Sequence, residues 1–179
     1  MASSYNVRVL AAVALSRSGD RERATALVSE FTRGLPRSTP IQNFWLPVIL
    51  GSMALSRGES AAAIDLLSTA GRYELGVPEP DSHLNGTLYP AYVRGEAYLK
   101  AGRTSEAVGE FQKLIDHRGV VLNFVVGALA NLQIGRAKAR SGDLNGARQA
   151  YKKFFEIWKD ADPDVPILQS ARAEYVSLQ

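Results

Sequence analysis

Only two histidines, His83 and His117, occur in 179 residues, and they lie 34 positions apart. A zinc site needs three or four ligands converging on one point. With no cysteine in the chain, a histidine cage is excluded, together with disulfides, thiolate metal sites and a cysteine nucleophile. Asp160, Asp162 and Asp164 alternate like the opening of a calcium loop. The sixth position of that loop would be Val165 where glycine is needed, and the twelfth Ala171 where glutamate is needed. Asp164 before Pro166 reads better as the N-cap of a last helix. Asn85-Gly86-Thr87 fits a glycosylation sequon but, beside His83 in the polar run Glu79–Gly86, it reads as a turn. In His117-Arg118-Gly119 the glycine is expected to end a helix, with the two basic residues satisfying its last carbonyls; recruitment of an anion is the alternative. There is no phosphate loop, no His-Glu-x-x-His and no paired acid and base. The chain is therefore read as non-catalytic, with no cofactor and no metal.

Composition agrees with a packed globular protein. Hydrophobic residues at 46% and charged residues at 22% are ordinary for a soluble globular domain with a real core. The net charge of +3 is unevenly spread, with Asp65–Asp81 mostly acidic and Arg94–Lys159 carrying the excess. Phosphate binding would need those cations on one face. The longest apolar run, Val120–Leu132, has Asn123 inside it and is too short to span a bilayer. Met1-Ala-Ser-Ser-Tyr is not the start of a secretory signal. A cytoplasmic location is expected, or an extracytoplasmic one if a longer polypeptide supplies an upstream span.

The elements that would carry any binding site repeat. Gly19, Gly58, Gly102 and Gly142 are spaced by 39, 44 and 40 residues. Five residues after each comes Ala24, Ala63, Ala107 or Ala147, and seven before each a tiny residue, Ala12, Gly51, Gly95 or Gly135. Nine after each is bulky and apolar: Val28, Leu67, Phe111 or Tyr151. A period of this size marks a solenoid, in which no unit can bury its apolar face alone. The glycine takes the left-handed conformation that ends one helix, and Asp20, Glu59 and Asp143 favour the start of the next. The tiny residue seven before the turn implies a close helix crossing, whose opposite wall is expected to be the alanine five after.

The spacing predicts helix pairs at 5–17 with 21–33, 42–56 with 60–69, 88–101 with 104–116, and 122–140 with 144–159. A capping helix is expected at 167–177. The fold class is all-α: a right-handed α-solenoid of about four helix pairs plus the cap. Residues 1–179 read as a single superhelical domain with units at approximately 5–33, 42–69, 88–116 and 122–159.

Gly95-x-x-Tyr98-x-x-x-Gly102 with Ala107 and Phe111, and Gly135 through Gly142, Ala147 and Tyr151, resemble the tetratricopeptide repeat. The other two units match it more loosely, and the period exceeds the family's usual 34 residues. Phe111–Leu122, Gly127–Ala130 and Trp158–Gln169 further resemble the C-terminal tetratricopeptide region of bacterial serine/threonine kinases and winged-helix transcriptional regulators. The resemblance implies a protein–protein interaction module without catalysis, the regulatory or scaffold part of a larger bacterial signalling protein. It also implies that the first helices line a concave groove for a protein or peptide segment. Carried over, that groove presents Trp45, Val48, Ser52 and Leu55, then Tyr89, Tyr92, Glu96 and Lys100, then Leu132, Gln133, Arg136 and Arg140, with Tyr92, Arg136 and Arg140 expected to be exposed. The family's carboxylate clamp is absent, since Tyr92, Val93 and Glu96 stand where its lysine and asparagines would be. Two alternatives remain. Nucleic-acid binding would need Arg136, Lys138, Arg140, Arg148, Lys152 and Lys153 in one stripe. A small-ligand sensor could use Tyr73–Thr87 as a lid.

Overall fold

The computed structural model describes residues 2–76 and 88–179, and those residues hold ten α-helices and no strand. Helices α1 (Ala2–Ser18) and α2 (Arg21–Gly34) form the first antiparallel pair. A π-helical turn, Ile41–Trp45, leads into α3 (Leu46–Ser56), which pairs with α4 (Ser60–Ser68). The third pair is α5 (Tyr89–Lys100) with α6 (Thr104–Asp116), and a single turn, α7 (Arg118–Val121), connects it to the fourth. That pair is α8 (Val126–Arg140) with α9 (Leu144–Ile157), and α10 (Pro166–Val176) closes the stack. First helices lie side by side, α1 on α3, α3 on α5 and α5 on α8, while α4 packs on α5 and α6 on α8. The result is a helical-repeat solenoid.

All four turn glycines are left-handed, with φ of 85°, 82°, 75° and 85°. Each turn closes with one long-range bond of the same kind, Asp20 N–H to the Leu15 carbonyl, Glu59 to Ala54, Arg103 to Tyr98 and Asp143 to Lys138, at 2.9–3.0 Å. This Schellman arrangement satisfies carbonyls that the helix end would otherwise orphan. Asp20 and Asp143 then cap α2 and α9 by accepting from the Arg23 and Gly146 amides, which are free at a helix start.

The close crossing exists, but its opposite wall differs from the expectation. A Cβ on Gly51 would stand 2.7 Å from Leu67 Cγ, one on Gly95 2.7 Å from Phe111, and one on Gly135 2.8 Å from Tyr151. The large side chain nine after the turn therefore occupies the space left by the missing side chain. The alanines five after, all fully buried, are not among the nearest atoms. In unit one the corresponding positions hold a larger Ala12 and a smaller Val28.

Three further expectations are corrected. The helix expected from 122 begins at Val126, because Leu122 has φ 52° and ψ −134°, outside any helical geometry. Gly119 does not end α6 but lies inside α7. His117 ends α6 instead, its Nδ1 lying 2.9 Å from the Lys113 carbonyl oxygen, which accepts. Val165, not Asp164, occupies the N-cap of α10, and Pro166 takes the first helical position.

One apolar core runs through the first three units into α8. A second joins Leu132, Tyr151 and Phe154 to Leu168 and Ala171, so α10 covers the end of the last pair.

Candidate functional site

Residues four apart on a helix share a face. The row six before each turn glycine holds Val13, Ser52, Glu96 and Arg136, and the row two before holds Arg17, Ser56, Lys100 and Arg140. Stacking the first helices puts these rows side by side. All of them but Val13 line a cleft of about 430 Å³, with Leu55, Leu99, Gln133 and, from α10, Glu174 completing the wall. A second cleft of about 360 Å³ opens beside it, lined by Leu10, Val13, Ala14, Trp45, Tyr89 and Phe124. Arg17 belongs to both and divides one groove into an apolar part and a charged part.

Two bidentate ion pairs cross the charged part. Arg17 donates to Glu96 at 2.7 and 2.9 Å, joining the first unit directly to the third. Burial would lower the Arg17 pKa, but the hydrogen bonds and charge of Glu96 outweigh it and hold the guanidinium charged. Arg136 donates to Glu174 at 2.8 and 2.7 Å, and the Tyr151 hydroxyl donates to the same carboxylate at 2.6 Å. Partial burial raises the Glu174 pKa, yet these bonds prevail and keep the carboxyl below its ordinary value. Lys100 and Arg140 donate only to backbone, to the Leu55 carbonyl at 3.3 Å and the Leu99 carbonyl at 2.9 Å. Neither has a carboxylate partner among the described residues. Ser52 Oγ, buried at the floor, has no hydrogen-bond partner.

Of the expected groove residues, Glu96 and Arg136 are half-buried in the charged part, Lys100 and Arg140 are exposed at its edge, and Ser52 and Leu55 line it. Trp45 and Tyr89 are half-buried in the apolar part, where Tyr89 meets Phe124 edge-on at 5.8 Å. Tyr92 is not exposed. It is 3% accessible, packs on Phe111 of α6 at 5.6 Å, and accepts from Gln133 at 3.2 Å; burial pushes its phenol above the ordinary range. Val48 and Leu132 are also core residues, with no accessible surface. All three stand ten before a turn glycine, and that row is buried with the second helices. Gln133 lines the charged cleft but is itself buried, as its bond to Tyr92 requires.

Sequence reasoning missed Arg17, Leu10, Ser56, Phe124 and Glu174. Arg17 and Ser56 were available, because they share a repeat row with Lys100 and Arg140. Phe124 was not, since only the break at Leu122 turns it over Tyr89. The basic residues proposed for a nucleic-acid stripe are divided: Arg136 pairs with Glu174, Lys138 with Asp143, and Arg148 donates to the Leu178 carbonyl. His83, the sequon Asn85-Gly86-Thr87 and most of the lid candidate Tyr73–Thr87 lie outside the described residues. Among the described residues no three His, Asp or Glu side chains gather as a metal site, and no helix is long and apolar enough to cross a membrane.

The third pair decides the likeness. Residues 92–117 match the tetratricopeptide repeat. The match spans most of α5 and all of α6; the left-handed turn glycine recurs in the other three pairs and the close crossing in the second and fourth. No curated protein and no solved structure matches the chain. Tetratricopeptide repeats generally mediate protein–protein interaction.

Proposed function

We propose that this chain is a non-catalytic protein–protein interaction module, working as one superhelical domain over residues 1–179, whose concave groove holds a segment of a partner protein. The observation that carries this reading is the continuous groove in which Arg17 links an apolar cleft to a charged one. Half-buried aromatics and guanidinium groups are the residue types that anchor protein interfaces. The resemblance of Phe111–Leu122, Gly127–Ala130 and Trp158–Gln169 to the tetratricopeptide regions of bacterial kinases and winged-helix regulators supports a regulatory or scaffold role in a larger cytoplasmic signalling protein. A photo-crosslinking amino acid placed at Leu10, in the groove, should capture protein partners in the source cell. The same group at Ile157, which is exposed on α9 and lines neither cleft, should not. Equal capture from both positions would reject the groove as the recognition surface.

A further inference from the structure

The charge of the groove specifies more than a protein segment. Four cations, Arg17, Lys100, Arg136 and Arg140, line the larger cleft against two carboxylates, Glu96 and Glu174. Each carboxylate is already held by a bidentate guanidinium, and Glu174 also accepts from Tyr151. The balance of two positive charges resides on Lys100 and Arg140, each using one donor on a backbone carbonyl. An ammonium has three donors and a guanidinium five, so both keep donors that nothing among the described residues fills. Those carbonyls belong to helix C-termini, whose dipoles offset part of the charge, but a dipole leaves the spare donors unfilled. Ser52 Oγ, only 3% accessible as a residue and lining the same cleft, is a further polar group without a partner. A buried hydroxyl left without a hydrogen bond is costly. Next to this, past Arg17, lies a cleft whose walls are Leu10, Val13, Ala14, Trp45, Tyr89 and Phe124.

We infer that the groove is built for an acidic peptide segment with a large apolar side chain. The apolar side chain seats among Leu10, Trp45, Tyr89 and Phe124, and a neighbouring carboxylate reaches past the Arg17–Glu96 pair to Lys100 and Arg140. The inference rests on the proposed groove reading and adds the chemistry of the occupant. A basic segment would meet two cations that no ion pair holds among the described residues, Arg140 acting on Glu174 only through its charge. An acidic one without the anchor would leave the aromatic cleft open to water.

A random dodecamer library displayed on phage and selected against the full chain tests this. Selected peptides should carry Asp or Glu at a regular distance from a large apolar residue. Fluorescence anisotropy of a labelled selected peptide should show about tenfold weaker binding for Lys100→Gln or Arg140→Gln, the loss of one charge-assisted contact. Leu10→Asp should weaken binding similarly, whereas Lys100→Arg and Arg148→Gln should not, and melting curves separate lost binding from lost fold. Selected peptides without acidic residues, or binding that ignores Lys100→Gln and Arg140→Gln but falls with Leu10→Asp, would overturn the inference and leave the groove reading standing. No enrichment, or binding indifferent to every groove substitution, would overturn both. Oligothymidylate bound more tightly than any selected peptide, with the same dependence on Lys100 and Arg140, would reassign the cations to phosphate and overturn it as well.

Discussion

Replacing Arg94 by methionine should destabilise the chain more than any groove substitution. Arg94 Nη1 donates to Glu74 at 2.7 Å and to the Leu67 carbonyl at 3.0 Å, while Nη2 donates to Glu74 at 3.2 Å and Glu110 at 2.5 Å. The side chains are 5%, 6% and 12% accessible for Arg94, Glu74 and Glu110, so the charges face each other out of water. Burial alone would lower the Arg94 pKa, but the bonds from both carboxylates prevail and raise it. Methionine keeps most of the volume and removes the charge. Glu110 retains Lys113 at 2.9 Å, so the uncompensated group is Glu74, whose carboxylate has no other hydrogen-bond partner among the described residues. Breaking a buried pair by removing one partner costs about 3–5 kcal/mol, and the Leu67 carbonyl loses its donor too. For a chain of this size, that corresponds to a fall in melting temperature of roughly 6–20 °C. Circular dichroism melts at pH 7 measure it. The double variant Arg94→Met/Glu74→Gln should recover a large part of the loss, because it removes the stranded charge. A single variant melting with the parent, or a double variant worse than the single, would refute the assignment of Arg94 as the counter-charge that folds Glu74 onto the core.

Two glycine substitutions should fail for different reasons. Gly102→Ala meets nothing within 4 Å but must hold φ at 75°, costing about 1–2 kcal/mol of backbone strain. Gly95→Ala brings a Cβ to 2.7 Å from buried Phe111 and costs about 1–3 kcal/mol by overpacking, so only Gly95→Ala should be rescued by adding Phe111→Leu. The third prediction concerns acid. The depressed Glu174 carboxyl contributes stability that is present above its ordinary value of 4.5 and lost as pH falls through the lower folded value. The melting-temperature gap between the parent and Glu174→Gln should thus narrow below that pH, and a gap constant down to strong acid would remove Glu174 from the account of α10 docking.

The amino-acid sequence by itself determined the grammar of one unit. A left-handed glycine, a capping aspartate and a tiny residue at a close crossing all act within a single hairpin, so their spacing along the chain is their spacing in space, whereas packing decided that the wall opposite is the large residue nine after the turn. Repetition of that grammar then made the solenoid legible. It also put Glu96, Lys100, Arg136 and Arg140 in two adjacent rows, which line the larger cleft, because a helical row is fixed by its distance from the turn. The sequence did not say which neighbouring row faces the core, and Tyr92 stands four residues from Glu96 yet is buried. Tertiary structure alone decided the contacts between units: Arg17 with Glu96 across 79 residues, Arg136 with Glu174 across 38, and Arg94 with Glu74 and Glu110. It also decided that Leu122 breaks the chain and turns Phe124 over Tyr89. These depend on how far each unit rotates against the last. That rotation is set by side-chain volumes summed over whole helix faces, a quantity no local spacing records.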